Sequence, residues 1–297
     1  MSGDQASAVF LAVETGGTKI LGRLASATGE VLDEARWTTT TPKAACDVIV
    51  AFARGAAPAG SVLTGVGLAA FGPLVLDPGD PDCGRLLATT KPGWTHSNLR
   101  RELHARLGAP VRVDTDVNAA ALAELKLGAG QGVPSLAYLT VGTGIGGGLA
   151  TSAGVLQGAM HPEVGHLRLV RRPDDQLASV CRFHDDCAEG LAAGPALAAR
   201  LSGEPMALRP EVQALTADYL AQLAVSLVLT WSPHRLVLGG GVGAAPGMLA
   251  AVRAAFGSAL GGYGVGPAAR ESAFIVAPRL ANAGLEGAML MATTTRV

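Results

Sequence analysis

An excess of one charge is missing from this chain: 23 basic residues against 24 acidic leave a formal net charge of -1, and only 16% of its 297 residues are charged. Nothing in that balance attracts nucleic acid or an anionic membrane surface, so an anionic ligand has to be held by local groups. Cysteine is scarce too. The four residues at 46, 83, 181 and 187 make no disulfide framework at this length. Met1 to Ser7 hold no Lys or Arg and the apolar run Ala8 to Val13 stops at Glu14, which argues against a secretory leader. The longest apolar helix candidate, about Leu220 to Trp231, is interrupted by Gln222 and is too short to span a bilayer. These absences predict a soluble cytoplasmic protein with neither nucleic acid nor membrane as partner.

Hydrophobic residues make up 49% of the chain, which excludes a mostly disordered protein and allows two domains with substantial cores. Forty glycines exceed what a packed core requires and predict several glycine loops. Strand candidates at 8–13, 20–24, 31–40, 61–69, 111–113, 136–141, 235–238 and 274–276 alternate with helix candidates at 43–53, 97–107, 118–129, 191–201, 211–231 and 246–259. A terminal helix is predicted over 282–292 with Asn282 as its cap. Interleaved strands and helices argue for α/β layers.

Two stretches have the same design. Ala8 to Val13 leads into Glu14-Thr15-Gly16-Gly17-Thr18-Lys19 and a second apolar run, and Leu136 to Val141 leads into Gly142-Thr143-Gly144-Ile145-Gly146-Gly147-Gly148 and a return strand. Each reads as a hairpin whose turn offers backbone N–H groups to phosphate, and a plain β-turn is the alternative for either alone. Their spacing suggests two similar halves. A Walker loop is absent, and the G-x-G-x-x-G string at 142–147 runs into a strand, so it fails as a dinucleotide fingerprint.

Between them, Val111 to Val113 empties into Ala119-Ala120-Ala121, with Asp116 at the junction. An Asp there caps free helical N–H groups or, because strand ends in α/β proteins face the ligand crevice, serves as a catalytic base. The irregular stretch from Asp77 to Trp94 is too long for a simple connection, and the Trp94 indole reads as a packing residue or a pocket wall.

Cys181, His184 and Cys187 are spaced three apart, with His166 fifteen residues upstream. Two thiolates and two imidazoles form a tetrahedral zinc set with no open position, so the metal is expected to be structural. Spacing leaves His161 as an alternative fourth ligand. Glu163 and Glu189 flank the set, either as solvated surface acids or as fixed acceptors for a polyhydroxylated ligand. Cys46 and Cys83 read as buried apolar packing.

Together these stretches resemble the ROK family of sugar kinases over nearly the whole chain. The resemblance implies an α/β, actin-like (ribonuclease-H-like) two-domain ATPase fold with a cleft between domains. It implies an N-terminal domain over 1–117, completed by 282–297, and a C-terminal domain over 118–281 carrying a zinc loop at 161–190. Glu14 to Lys19 resembles the first phosphate loop, Gly142 to Gly147 the second, Gly239-Gly240-Gly241-Val242 the adenosine loop, and Asp116 to Ala121 the segment of the catalytic aspartate. Glu163-Val164-Gly165-His166 matches the E-x-G-H signature.

Within the family the chain is most similar to bacterial zinc-containing fructokinases, through Lys91-Pro92-Gly93-Trp94, His161 to His166, and Cys181 to Cys187, where His184 replaces a cysteine of typical members. Thr115 stands where glucokinase-like members have Asn, which argues against glucose. What is implied is transfer of the γ-phosphoryl of MgATP to a hexose, D-fructose first, with Asp116 as base. Mannose, glucose, an N-acetylated amino sugar and a non-catalytic sugar- or nucleotide-binding regulator are the alternatives. Gly16, Gly17, Thr18, Lys19, Gly142, Thr143, Gly144, Pro195, Gly240 and Gly241 would hold the nucleotide. Thr115, Glu163, His166 and Glu189 would hold the sugar, and His166, Cys181, His184 and Cys187 the zinc. The resemblance further implies a homodimer.

Overall fold

The computed structural model describes residues 7–89 and 91–294. Thr90 in the irregular stretch from Asp77 to Trp94, residues 1–6 of the segment read against a secretory leader, and residues 295–297 of the expected 282–297 segment lie outside the described residues. The chain divides into two compact units. Unit 1 takes residues up to Ala123, Gln157–His161 and everything from Asn282, and unit 2 takes Glu124–Leu156 and Pro162–Ala281.

Unit 1 is built on a five-stranded sheet in the order β3-β2-β1-β4-β5. Strands β1 (Ala8–Thr15), β2 (Lys19–Ser26) and β3 (Val31–Thr38) form an antiparallel meander, and β4 (Val62–Ala70) and β5 (Val111–Thr115) run parallel to β1. Helices α1 (Pro42–Ala56) and α2 (Leu99–Leu107) cover one face. Both start as their sequences direct: the Thr41 hydroxyl accepts the Ala44 N–H ahead of Pro42, and the Asn98 side-chain Oδ1 accepts the Arg101 N–H. Trp94 is fully buried in this layer and its Nε1–H donates to the Thr40 carbonyl at 2.8 Å, so it is a packing residue and lines no pocket.

The opposite face is lined by small residues, Ala12 and Ala69, and carries the chain's last helix, Ala283–Thr293, against them. Gly67 makes this possible, because a Cβ there would overlap the Ala288 carbonyl oxygen. Asn282 holds the N-cap position of that helix without a side-chain capping bond, so the predicted cap is one of position only.

Helix α3 (Asp116–Leu127) begins in unit 1 and ends in unit 2. The unit 2 sheet has the order β10-β9-β6-β7-β8, formed by β6 (Ser135–Val141), β7 (Ile145–Thr151), β8 (Gly154–Val155), β9 (Arg235–Gly239) and β10 (Ile275–Val276). The helix expected over 191–201 is two, α4 (Ala188–Ala192) and α5 (Gly194–Leu201), because Ala193 is extended and Pro195 starts a fresh first turn. Helix α6 (Pro210–Trp231) is 22 residues long, which corrects the expectation that this apolar stretch is too short to cross a bilayer. Its Tyr219, Leu220, Leu223 and Leu227 are instead buried in the core of unit 2. Short α7 (Gly240–Gly243) follows β9 directly, then α8 (Met248–Ala259), α9 (Gly266–Arg270) and, in unit 1, α10 (Ala283–Thr293).

Candidate active site

In unit 1 the parallel register pairs Thr15 with Ala70 and Ala70 with Thr115, so β1, β4 and β5 end on one edge. The first glycine hairpin and Asp116 therefore leave the same edge two strands apart, about 10 Å at ordinary strand spacing. This is the edge where open α/β sheets bind ligands.

The β5–α3 junction differs in one respect from the expectation. Asp116 is the first helical residue, and the cap is Thr115, whose hydroxyl accepts the Asn118 N–H at 3.1 Å. Asp116 keeps its carboxylate beside the helix start, with Oδ1 accepting the Val117 N–H at 2.8 Å. Thr115 is 2% exposed, so its side chain is placed to shape the turn that carries Asp116. Thr115→Ala should cost about 0.5–2 kcal/mol of stability and Thr115→Ser little. Equal urea midpoints for Thr115→Ala and wild type would overturn the cap.

Beneath this turn lies an acid that the motifs passed over. Asp114 is buried, and its carboxyl accepts from the Thr115 N–H (2.7 Å), Asn118 Nδ2 (2.8 Å) and Gln157 Nε2 (2.8 Å). Burial pushes it up to about 6 against the pull of those three donors. Through Gln157, and through His161 Nε2 accepting the Leu74 N–H at 3.0 Å, the segment Gln157–His161 is fastened within unit 1.

Each glycine turn is closed by the N–H of its first glycine, the first across four residues and the second across three. Gly16 N–H closes the first on the Lys19 carbonyl at 2.8 Å, and Gly142 N–H closes the second on the Gly144 carbonyl at 2.9 Å. Among the described residues the N–H groups of Gly17, Thr18, Thr143 and Gly144 have no protein acceptor, so each turn presents two adjacent donors. Glu14, the first residue of the phosphate-loop motif, stands at the foot of the first turn. Burial raises its carboxyl, the Lys19 charge and the Leu285 N–H act the other way, and Oε2 has no partner among the described residues. In unit 2, Gly194 N–H donates to the Gly142 carbonyl at 2.7 Å, which brings the start of α5 and exposed Pro195 to the second turn. Thr140 pairs with Gly239 in parallel register, so Gly240 and Gly241 follow from the same edge of that sheet.

The E-x-G-H stretch packs behind the second turn. A Cβ on Gly165 would overlap the Ile145 carbonyl oxygen, so only glycine lets this stretch reach β7. Glu189, in the first turn of α4, accepts the Ile145 N–H at 3.0 Å and so holds the second turn itself. Burial, and next the Glu189 charge, push Glu163 up to about 7.

One donor atom each from His166, Cys181, His184 and Cys187 lie within 4.8 Å of one another. Nδ1 of His166 and Nδ1 of His184 each sit 3.8 Å from the Cys181 sulfur. Ligands of a tetrahedral zinc are about 3.3–3.8 Å apart, so the set is compatible with that ion. His161 belongs to unit 1 with Nε2 engaged by Leu74, and the cluster forms with His166. Burial pushes the Cys187 thiol up to about 11 in the metal-free protein.

The ROK family model matches residues 10–295. A fructokinase of Zymomonas mobilis subsp. mobilis is 37% identical over 96% of the chain and 96% of its own length, and one of Pediococcus pentosaceus is 34% identical over 95% and 96%. Among solved structures, the ROK hexokinase of Thermus thermophilus superposes with a TM-score of 0.75 at 33% identity, covering 96% of this chain and 97% of that one. A ROK glucokinase of Streptomyces griseus, solved with glucose and AMPPNP, gives 0.73 at 28% identity, covering 96% and 99%.

Proposed function

The chain belongs to the ROK family, and from that premise we propose that it is a kinase that transfers the γ-phosphoryl of MgATP to a hexose, D-fructose first, with O6 as the acceptor oxygen. The observation that carries the reading is the shared sheet edge of unit 1, where a carboxylate at a helix start and a donor-lined glycine turn leave strand ends two apart. Asp116 orients the attacking hydroxyl and takes its proton as the O–P bond forms, for which an ordinary carboxylate suffices. Gly17, Thr18, Thr143 and Gly144 hold phosphate oxygens through their backbone donors, the two threonine hydroxyls and the Lys19 ammonium add to these, and Gly16 and Gly142, whose own N–H groups close the turns, let the phosphates approach. Gly240, Gly241 and Pro195 border the adenosine.

Glu163 and His166 bind sugar hydroxyls in this reading, with His166 using Nε2 because Nδ1 faces the cysteine sulfur. Glu189 contributes through the oxygen that the Ile145 N–H does not occupy. Thr115 tunes sugar choice by setting the turn under Asp116. Zinc, when bound to His166, Cys181, His184 and Cys187, supplies a rigid node that fixes the sugar loop. A cytoplasmic homodimer belongs to the same reading, and light scattering checks its size.

A panel of hexoses with MgATP, followed by ADP release and product identity, tests the proposal. Fructose 6-phosphate as the best product supports it, while preference for mannose, glucose or an N-acetylated amino sugar moves the substrate within the class. Thermal stabilisation by sugar and nucleotide without turnover would leave a binding regulator.

A pH dependence follows from Glu163. Its carboxyl titrates near 7, and the ionised form is the better acceptor for hydroxyls. Sugar affinity is therefore weaker below about pH 7 and rises to a plateau above it. Glu163→Gln should hold KM at the weak level without that inflection, and a wild-type KM that is flat from pH 6 to 8 would refute the contact.

A further inference from the structure

The lysine of Lys91-Pro92-Gly93-Trp94 ends on the first glycine turn. Lys91 Nζ donates to the Gly17 carbonyl at 2.5 Å and to the Thr39 carbonyl at 3.2 Å. Thr39 completes the arrangement: its hydroxyl donates to the Gly16 carbonyl at 2.7 Å and its N–H to the Thr18 carbonyl at 3.0 Å. All three consecutive carbonyls of the turn are thus held from behind.

A trans peptide carries its C=O and the next residue's N–H on opposite sides. Fixing the Gly16 carbonyl therefore turns the Gly17 N–H outward, and fixing the Gly17 carbonyl does the same for Thr18. These are the two donors that have no protein acceptor among the described residues. Without the ammonium, the Gly17–Thr18 peptide would be the loosest link, since glycine rotates freely and the Thr39 bonds reach only its neighbours. The lysine has a firm base as well. Its N–H meets the Thr89 hydroxyl at 3.3 Å, and three residues on, buried Trp94 is bonded to Thr40.

We propose that Lys91 is a positioning residue for the nucleotide: its ammonium sets the first glycine turn with both donors facing the phosphates and adds a positive charge behind them. This rests on the ATP reading above. Lys91 acts on the phosphates through the turn and makes no contact with the sugar.

The test is calorimetric titration of the whole protein with magnesium and AMPPNP, and separately with fructose, for wild type, Lys91→Met and Lys91→Arg. Lys91→Met should weaken nucleotide binding about tenfold, the equivalent of 1.4 kcal/mol, with fructose affinity within twofold and an unchanged melting temperature. Lys91→Arg should recover most of the loss, because it keeps the charge and the donors. Should Lys91→Met fail to fold, Thr39→Val, which removes one of the three carbonyl bonds, must give a smaller loss for the nucleotide alone. Unchanged nucleotide affinity, or a loss that falls on fructose, would overturn the assignment. A wild type that binds nucleotide but phosphorylates no hexose would strike the kinase reading and leave the Lys91 result standing.

Discussion

Asp116→Asn should lower kcat for the preferred hexose by a factor on the order of 10²–10⁴, the range for loss of a general base. Asn keeps the size of the side chain and an oxygen for the Val117 N–H, so the helix start survives and hexose binding falls little. A fall in kcat with KM nearly constant marks an interaction that matters in the transition state. Asp116→Ala should be at least as severe. Turnover within a factor of a few of wild type in either variant would remove Asp116 from the chemistry and leave a carboxylate that only decorates the helix start. Thr115→Ser is the matching control, since it preserves the cap that holds the turn.

The second large effect is expected at the cysteine–histidine cluster. Metal analysis should give one zinc per chain, and a strong chelator or Cys187→Ser should lower the melting temperature by several degrees and weaken sugar binding. The damage should stay near residues 181–187. Arg171 donates to the Leu177 carbonyl, and Asp175 accepts from Arg200 and Tyr219, so residues 171–177 have anchors of their own. Reloading should release protons and grow tighter with rising pH, because the buried Cys187 thiol, held near 11, has to give up its proton to bind. Absence of zinc, with both thiols freely alkylated and the melting temperature indifferent to chelator, would refute the metal site.

Much of this was legible because the signals were local. Each glycine turn follows an apolar strand and precedes another, and the strands formed where the periodicity put them. The cluster was legible from spacing, since a run of seven residues has few ways to aim three soft ligands apart. What stayed hidden depends on partners distant in sequence or on one torsion. Nothing near Lys91 indicates that its ammonium will meet a carbonyl at residue 17. Asp114 and Gln157 read as ordinary polar residues until the fold joins them. Thr115 and Asp116 are both good caps, and only the point where the backbone turns helical decides between them. Glu189 was read as a sugar acceptor, yet one oxygen is already committed to the Ile145 N–H.

Helix α10 has a consequence for where the protein tolerates change. It covers the alanine face of β1 and β4, and Gly67 leaves room there for nothing but its backbone. A bulky residue at Gly67 or at Ala288 would lift the helix and leave that apolar face bare, while residues 124–156 and 162–281 would keep the packing of their own unit. The unit that carries Asp116 is thus the one exposed to damage from a position far along the chain from it.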